Sequence, residues 1–206
     1  MRAVCAALAV VAVGAVQGGV VSGQDQKPLQ SIKEGILDQI TLYVDKPPAS
    51  SHVVIRPFSA TDADIVRGEK KDETKTMQAD GPRLLTERFI ASLKGLGPFT
   101  DVSALEGEAA PPADALLVEG KFVELDPGSR AKRYFVGFGS GKSAVTIAGT
   151  VKAGDGALLA SFEHRRVGVM GMGGGDSLGK LAGDTKDLGE DVAKFLHAWA
   201  TGKKLK

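Results

Sequence analysis

Residues 143–167, SAVTIAGTVKAGDGALLASFEHRRV, constrain the fold of this chain more than any other stretch. Val145, Ile147 and Val151 recur with the two-residue period of a strand that is buried on one side. Gly154-Asp155-Gly156 then supplies turn chemistry and ALLASFE resumes the strand pattern, so the segment reads as a β-hairpin. Upstream, ALLVEGKFVEL sets Leu116, Val118 and Phe122 on one face of a further strand, ended by the turn residues DPGS. HVVIRPF reads as a buried strand ending at Pro57, and GPFTDVSAL as a short one.

Two segments have helical rather than strand periodicity. PRLLTERFIASLKGLG puts Leu85, Phe89, Leu93 and Leu96 on one stripe, with Pro82 in the first turn and Gly95 and Gly97 at the end. A terminal helix opens at Asp176 or Ser177 and carries Leu178, Leu181, Leu188, Val192, Phe195, Leu196 and Trp199 on one side. Residues 61–81 are charged, with little apolar content, and read as a solvated loop or frayed helix. Between 24 and 51, Ile32, Ile36, Leu37 and Ile40 have helical spacing before β-formers take over at 40–44. This order predicts an α+β two-layer sandwich, a mostly antiparallel sheet with two amphipathic helices packed on one face. The expected division is a signal peptide at 1–23, an N-terminal extension at 24–51, a single α+β domain at 52–201 and a basic tail at 202–206.

The first residues read as an export signal: Arg2, then an uncharged Ala/Val run, then small residues up to a cleavage site after Gly23. The alternative is a retained anchor, since Ala3–Val21 carries no charge, but the run is Ala/Gly-rich and weakly hydrophobic for a membrane span. The expected location is therefore periplasmic or secreted, with membrane contact only through this segment if it is uncleaved. Cys5 is the only cysteine and lies inside the apolar run, so a cleaved chain has no thiol for disulfide, zinc or nucleophile. Without Arg2 the basic and acidic residues are equal in number, which argues against nucleic acid as a partner.

Catalytic motifs fail on their geometry. Gly137 to Lys142 resembles a phosphate loop, but Val136 stands where the first glycine belongs and a strand follows where a helix must open. GGDSLGK, residues 174–180, has the right spacing, yet Leu181 replaces the metal-binding Ser or Thr, and Asp176 would repel phosphate. GDSL at 175–178 offers Ser177 as a nucleophile without an Asp-x-x-His pair, so Asp176 or Ser177 is expected to be a helix cap. His52, His164 and His197 are isolated from one another, with His164 expected on a solvated strand edge. No metal, cofactor or catalytic residue is assigned. A nucleotide binder or serine hydrolase using 174–180 is the rival reading.

One basic cluster remains. Arg130, Lys132, Arg133 and Lys142 surround Tyr134, Phe138 and several glycines, as a loop that holds an anion or packs a partner would, or as a bulged hairpin would. The run DPGSRAKRYFVGFGSGK, residues 126–142, with the strand-turn-strand after it, resembles the signature of the DUF4410 family of bacterial exported proteins. The likeness runs from about VVIRPF to Trp199. It implies a cell-envelope protein with no transferable activity, and an element order similar to the TolB N-terminal domain and the curli secretion-channel lipoprotein. The expected partner is an envelope protein or an anionic envelope component, or further copies of the chain in a homo-oligomer.

Overall fold

A computed structural model describes residues 26–61, 63–65, 71–128, 143–168 and 176–206. Among the described residues, eight strands and two helices follow in the order β1 (Gln30–Lys33), β2 (Gln39–Leu42), β3 (His52–Ile55), β4 (Asp64–Ile65), α1 (Lys71–Leu96), β5 (Asp101–Ala104), β6 (Leu116–Asp126), β7 (Ala144–Ala153), β8 (Leu158–Val167) and α2 (Ser177–Thr201). The strands form one sheet in the order β1-β2-β8-β7-β6-β3-β5, with β4 added to β6. Pairing is antiparallel from β1 through β6, whereas β3 runs parallel to both β5 and β6. Both helices cover one face. The α+β two-layer architecture read from the sequence is the one the chain adopts.

The alternation in the central hairpin holds: Val145, Ile147 and Val151 on β7, and Ala160 and Phe162 on β8, are buried under the helices. On β6 the stripe Leu116, Val118, Phe122 continues at Leu125 because the register shifts between Phe122 and Glu124. That bulge turns half-exposed Val123 out of the ladder and keeps two core residues inward across an odd spacing. Gly120 and Gly149 face one another across the β6–β7 ladder. A Cβ on Gly120 would lie 2.6 Å from Phe58, and one on Gly149 would lie 2.5 Å from Phe162. The paired glycines thus vacate the space that two buried aromatic rings occupy.

Three expectations need correction. Of residues 61–81, expected as a solvated loop or frayed helix, 71–81 form the first turns of α1, which begins at Lys71 with Asp72 and Glu73 in its first turn, so that Pro82 lies inside the helix and not at its start. Thr74 and Met77 are buried there, so a short apolar segment packs where the charge pattern suggested none. At the other end Leu96 is 40% exposed and drops out of the stripe formed by Leu85, Phe89 and Leu93. The helical spacing of Ile32, Ile36, Leu37 and Ile40 belongs to a strand pair: Ile32 sits opposite Ile40, while Ile36 and Leu37 fill the connection. Glu34 at φ 56° makes the bend, and residues 30–42 extend the same sheet as the rest of the fold. The basic end of the chain also packs on it, with Leu205 buried and its carbonyl accepting from the Ile36 amide at 2.9 Å.

α1 and α2 cross at Gly189, where an added Cβ would meet the Leu85 carbonyl oxygen at 2.5 Å. Arg88 binds Glu190 across this crossing, and Lys194 binds the same carboxylate from the next turn of α2. The Lys194 hydrogen bond first, then that of Arg88, lowers the Glu190 carboxyl to about 2. Gly183, one and a half turns earlier, faces open space. Gly183→Ala is therefore expected to stabilise by up to about 1 kcal/mol through helix propensity alone. Gly189→Ala should instead destabilise by about 1–3 kcal/mol, because the helices must part to admit the methyl group. Urea unfolding of the two variants checks this, and equal shifts of the same sign would refute the close crossing.

Candidate functional site

Arg130, Lys132, Arg133, Tyr134, Phe138 and Lys142 lie outside the described residues, as do Gly174 and Gly175. The strand ends that carry their segments lie side by side: Ala144 pairs with both Asp126 and Val167. Asp126 Oδ1 accepts the Gly128 amide at 2.7 Å, and the Gly168 amide donates to the Ser143 carbonyl at 2.8 Å. Asp176 caps α2, accepting from the Gly179 amide at 2.8 Å. A carboxylate therefore already occupies the helix N-terminus that a phosphate loop would offer to its ligand.

Beside these strand ends stands a polar cluster that sequence spacing did not bring together. His164 is only 9% exposed, because β2 pairs along β8 and makes it an internal strand; the expected solvated edge is β1 instead. Its Nδ1 lies 3.0 Å from Asp38 and its Nε2 3.1 Å from Asp191. Asp38 also accepts the Arg165 amide at 2.7 Å, and Arg166 Nε donates to Asp191 at 2.8 Å. Burial pushes the Asp191 carboxyl up, but hydrogen bonds from His164 and Arg166, with their charges, bring it below the ordinary value. One and a half to two turns earlier on α2, burial and the neighbouring Asp187 raise Asp184, against the pull of the Ser143 hydroxyl, Arg166 and Lys180. The cluster ties β2, β8 and α2 together. It aims no group at a shared reacting position.

The other histidines are engaged as well. His197 Nδ1 meets the Gly97 carbonyl and its Nε2 lies 3.2 Å from Lys203, joining α2 to the end of α1. His52 stands 3.7 Å from both Asp101 and Asp114.

The face of the sheet turned away from α1 and α2 has a different character. A concavity of about 970 Å³ crosses β2, β8, β7 and β6 and reaches the 107–108 turn. Its floor is built from small side chains, Ala148, Thr150, Ser161 and Thr41, on strand positions that alternate with the core residues. One wall is an ion-pair chain: Glu119 accepts from Lys152 Nζ at 2.7 Å and from Arg56 Nη1, while Arg56 reaches the Gly107 and Ala109 carbonyls at 3.0 and 2.8 Å. Gln39 and Glu163 flank the opposite side. Beyond the rim Glu124 holds Arg165 at 3.0 Å and Thr146 at 2.8 Å, and the Arg165 hydrogen bond is the main cause of its lowered carboxyl pKa. The outward residues of these strands were legible in the alternation. Their gathering into a trough was not, because it depends on which strands become neighbours.

No curated protein matches the chain. Among solved structures it is similar to the PelC dodecamer from Paraburkholderia phytofirmans, at 11% identity over 73% of this chain and 94% of that one, with a TM-score of 0.45. It is also similar to a Xanthomonas campestris protein of the DUF330 family, at 8% identity over 76% of this chain and 89% of that one, with a TM-score of 0.44. The family model for a domain of unknown function, DUF4410, matches residues 49–172, from just before β3 through β8, and the chain belongs to that family.

Proposed function

We propose that this chain is a non-enzymatic binding module of the bacterial cell envelope, exported through its N-terminal segment, whose partner protein lies in the trough on the sheet face turned away from α1 and α2. The observation that carries this reading is the trough itself: a wide hollow with small, uncharged side chains on its floor, one wall where Arg56 and Lys152 pair with Glu119, and further charges of both signs, Glu108, Lys121 and Glu163, around it. Such a surface suits a protein chain better than a small substrate, because it offers area and hydrogen-bonding groups without a focal charge. The basic residues Arg130, Lys132, Arg133 and Lys142, with Tyr134 and Phe138, are proposed as a second contact for the same partner or for an anionic envelope component.

A photoreactive side chain at Thr150 or Ser161 should capture a partner in intact cells, and one at Ala91, exposed on α1, should not. Thr150→Arg fills the trough and should abolish capture with little change in thermal midpoint. Alanine at the four basic positions of 130–142 should weaken capture without unfolding the protein. Equal capture from Ala91 would refute the trough, and capture by further copies of this chain would make the module a homo-oligomer subunit. The rival enzyme reading requires esterase turnover or a nucleotide-induced thermal shift that Ser177→Ala removes.

A further inference from the structure

A second concavity, about 540 Å³, opens at the far edge of the sheet where α2 ends, and it is lined by Lys33, Lys46, Lys203, Lys204 and Lys206 against one acid, Asp45. All five lysines are exposed. The arginines of the described residues are paired to carboxylates. These lysines form no ion pair among the described residues, and of the five only Lys203 has a polar side-chain contact there, with His197 at 3.2 Å.

Cations beside a helix C-terminus can serve its dipole, and Lys203 and Lys204 stand there just past the Gly202 cap. That account does not extend to Lys33, on β1, or Lys46, which follows β2 and brings its Nζ over Gly202. Three separate segments converge to make one positive hollow. At the same edge Leu29 leaves 61% of its surface exposed. Nine residues before β1 the uncharged run Ala3–Val21 ends, a span of at most about 30 Å.

We infer that this lysine-lined hollow is a docking surface for an anionic phospholipid bilayer. The chain enters the domain at this edge, so where the apolar segment is retained uncleaved, a bilayer holding it lies within reach of all five ammonium groups. Exposed Leu29 meets the interface beside them. The attraction is to the phosphate charge of the headgroups and is screened within a Debye length of about 10 Å at 0.1 M salt.

The test is co-sedimentation of the full chain with vesicles of phosphatidylcholine alone or mixed with phosphatidylglycerol, at low and high salt. At low salt the mixed vesicles should be bound at least about tenfold more tightly, and that preference should vanish at high salt. Replacing Lys33, Lys46, Lys204 and Lys206 together by Gln should remove the preference, and replacing them by Arg should retain it. If the fourfold Gln variant fails to fold, Lys33→Gln with Lys46→Gln, away from the helix end, should still lower the preference severalfold. Equal binding to both vesicles, a preference unchanged in the Gln variants, or retention of RNA or soluble polyphosphate without vesicle binding would each overturn the inference.

Discussion

Asp191→Ala is expected to destabilise the protein by about 3 kcal/mol, which for a chain of this size lowers the thermal midpoint by roughly 6–12 °C. The carboxylate is 6% exposed and receives both His164 Nε2 and the Arg166 guanidinium, so its removal strips a buried ring nitrogen and a cation of their partner at once. Arg166 keeps access to water, which places the loss at the low end for a broken buried ion pair. The effect is pH-dependent with a defined sign. The folded state holds the Asp191 carboxyl below its ordinary value, so its stabilising contribution is complete above the unfolded carboxylate value near 4. It is lost as pH falls through the lower folded value, where wild-type and variant stabilities should converge. Asp184 supplies the opposite control, because its carboxyl is raised by burial and by Asp187. Asp184→Asn should be neutral or stabilising at pH 7, and any gain should vanish below about pH 4. Thermal unfolding monitored by circular dichroism from pH 3 to pH 8 reads both variants. A midpoint for Asp191→Ala within 2 °C of wild type at pH 7 would show that His164 and Arg166 do not depend on it.

Phe195→Ala should have a still larger effect, about 3–5 kcal/mol, a substantial share of the 5–15 kcal/mol that holds a typical domain together. Phe195 is fully buried and joins the two layers. It stacks on Trp199 with ring centroids 5.8 Å apart and planes 8° from parallel, and it meets Phe162 of β8 at 5.9 Å. Phe162 in turn lies 6.4 Å from Phe58, and the two rings occupy the space left by Gly149 and Gly120. Deleting the ring removes its own burial and opens a cavity bordered by rigid aromatic neighbours that cannot easily collapse into it. Trp199 is the chain's only tryptophan, so its fluorescence reports directly on the stack. Urea unfolding should show a lower midpoint with an unchanged slope, and Phe195→Leu should recover part of the loss. A cost below about 1.5 kcal/mol for the alanine variant would mean that the column is not a continuous packing unit.

The proposed trough and the aromatic column are two sides of the same strands. Thr150 and Ser161 face the hollow, while Val151 and Phe162, their neighbours in sequence, face the helices. Substitutions on the trough side therefore act on binding while leaving the packed side intact, which is why Thr150→Arg separates the two properties. The lysine-lined hollow lies at a different edge of the sheet, so bilayer docking and partner capture fail or survive independently.

Local patterning settled how each central element faces the core. The alternation of Val145, Ile147 and Val151, and the stripe from Leu181 to Trp199, meet the same burial requirement in any compact arrangement, so sequence reading placed them correctly. Where the pattern was short or thin it misled. The apolar spacing from Ile32 to Ile40 serves a helix or a bent strand pair equally well, and only pairing with β8 selects the second. The first turns of α1 have few apolar residues, and their helical state comes from packing around Met77. The same limit governs the sites. His164 meets Asp38 from 126 residues away and Asp191 from 27, and Arg56 meets Glu119 from 63. Spacing along the chain carries no trace of such contacts. They arise when β2 closes onto β8 and β3 onto β6, because the hydrogen-bonded register of a sheet, unlike its hydrophobic period, is a relation between strands and not a property of any one of them.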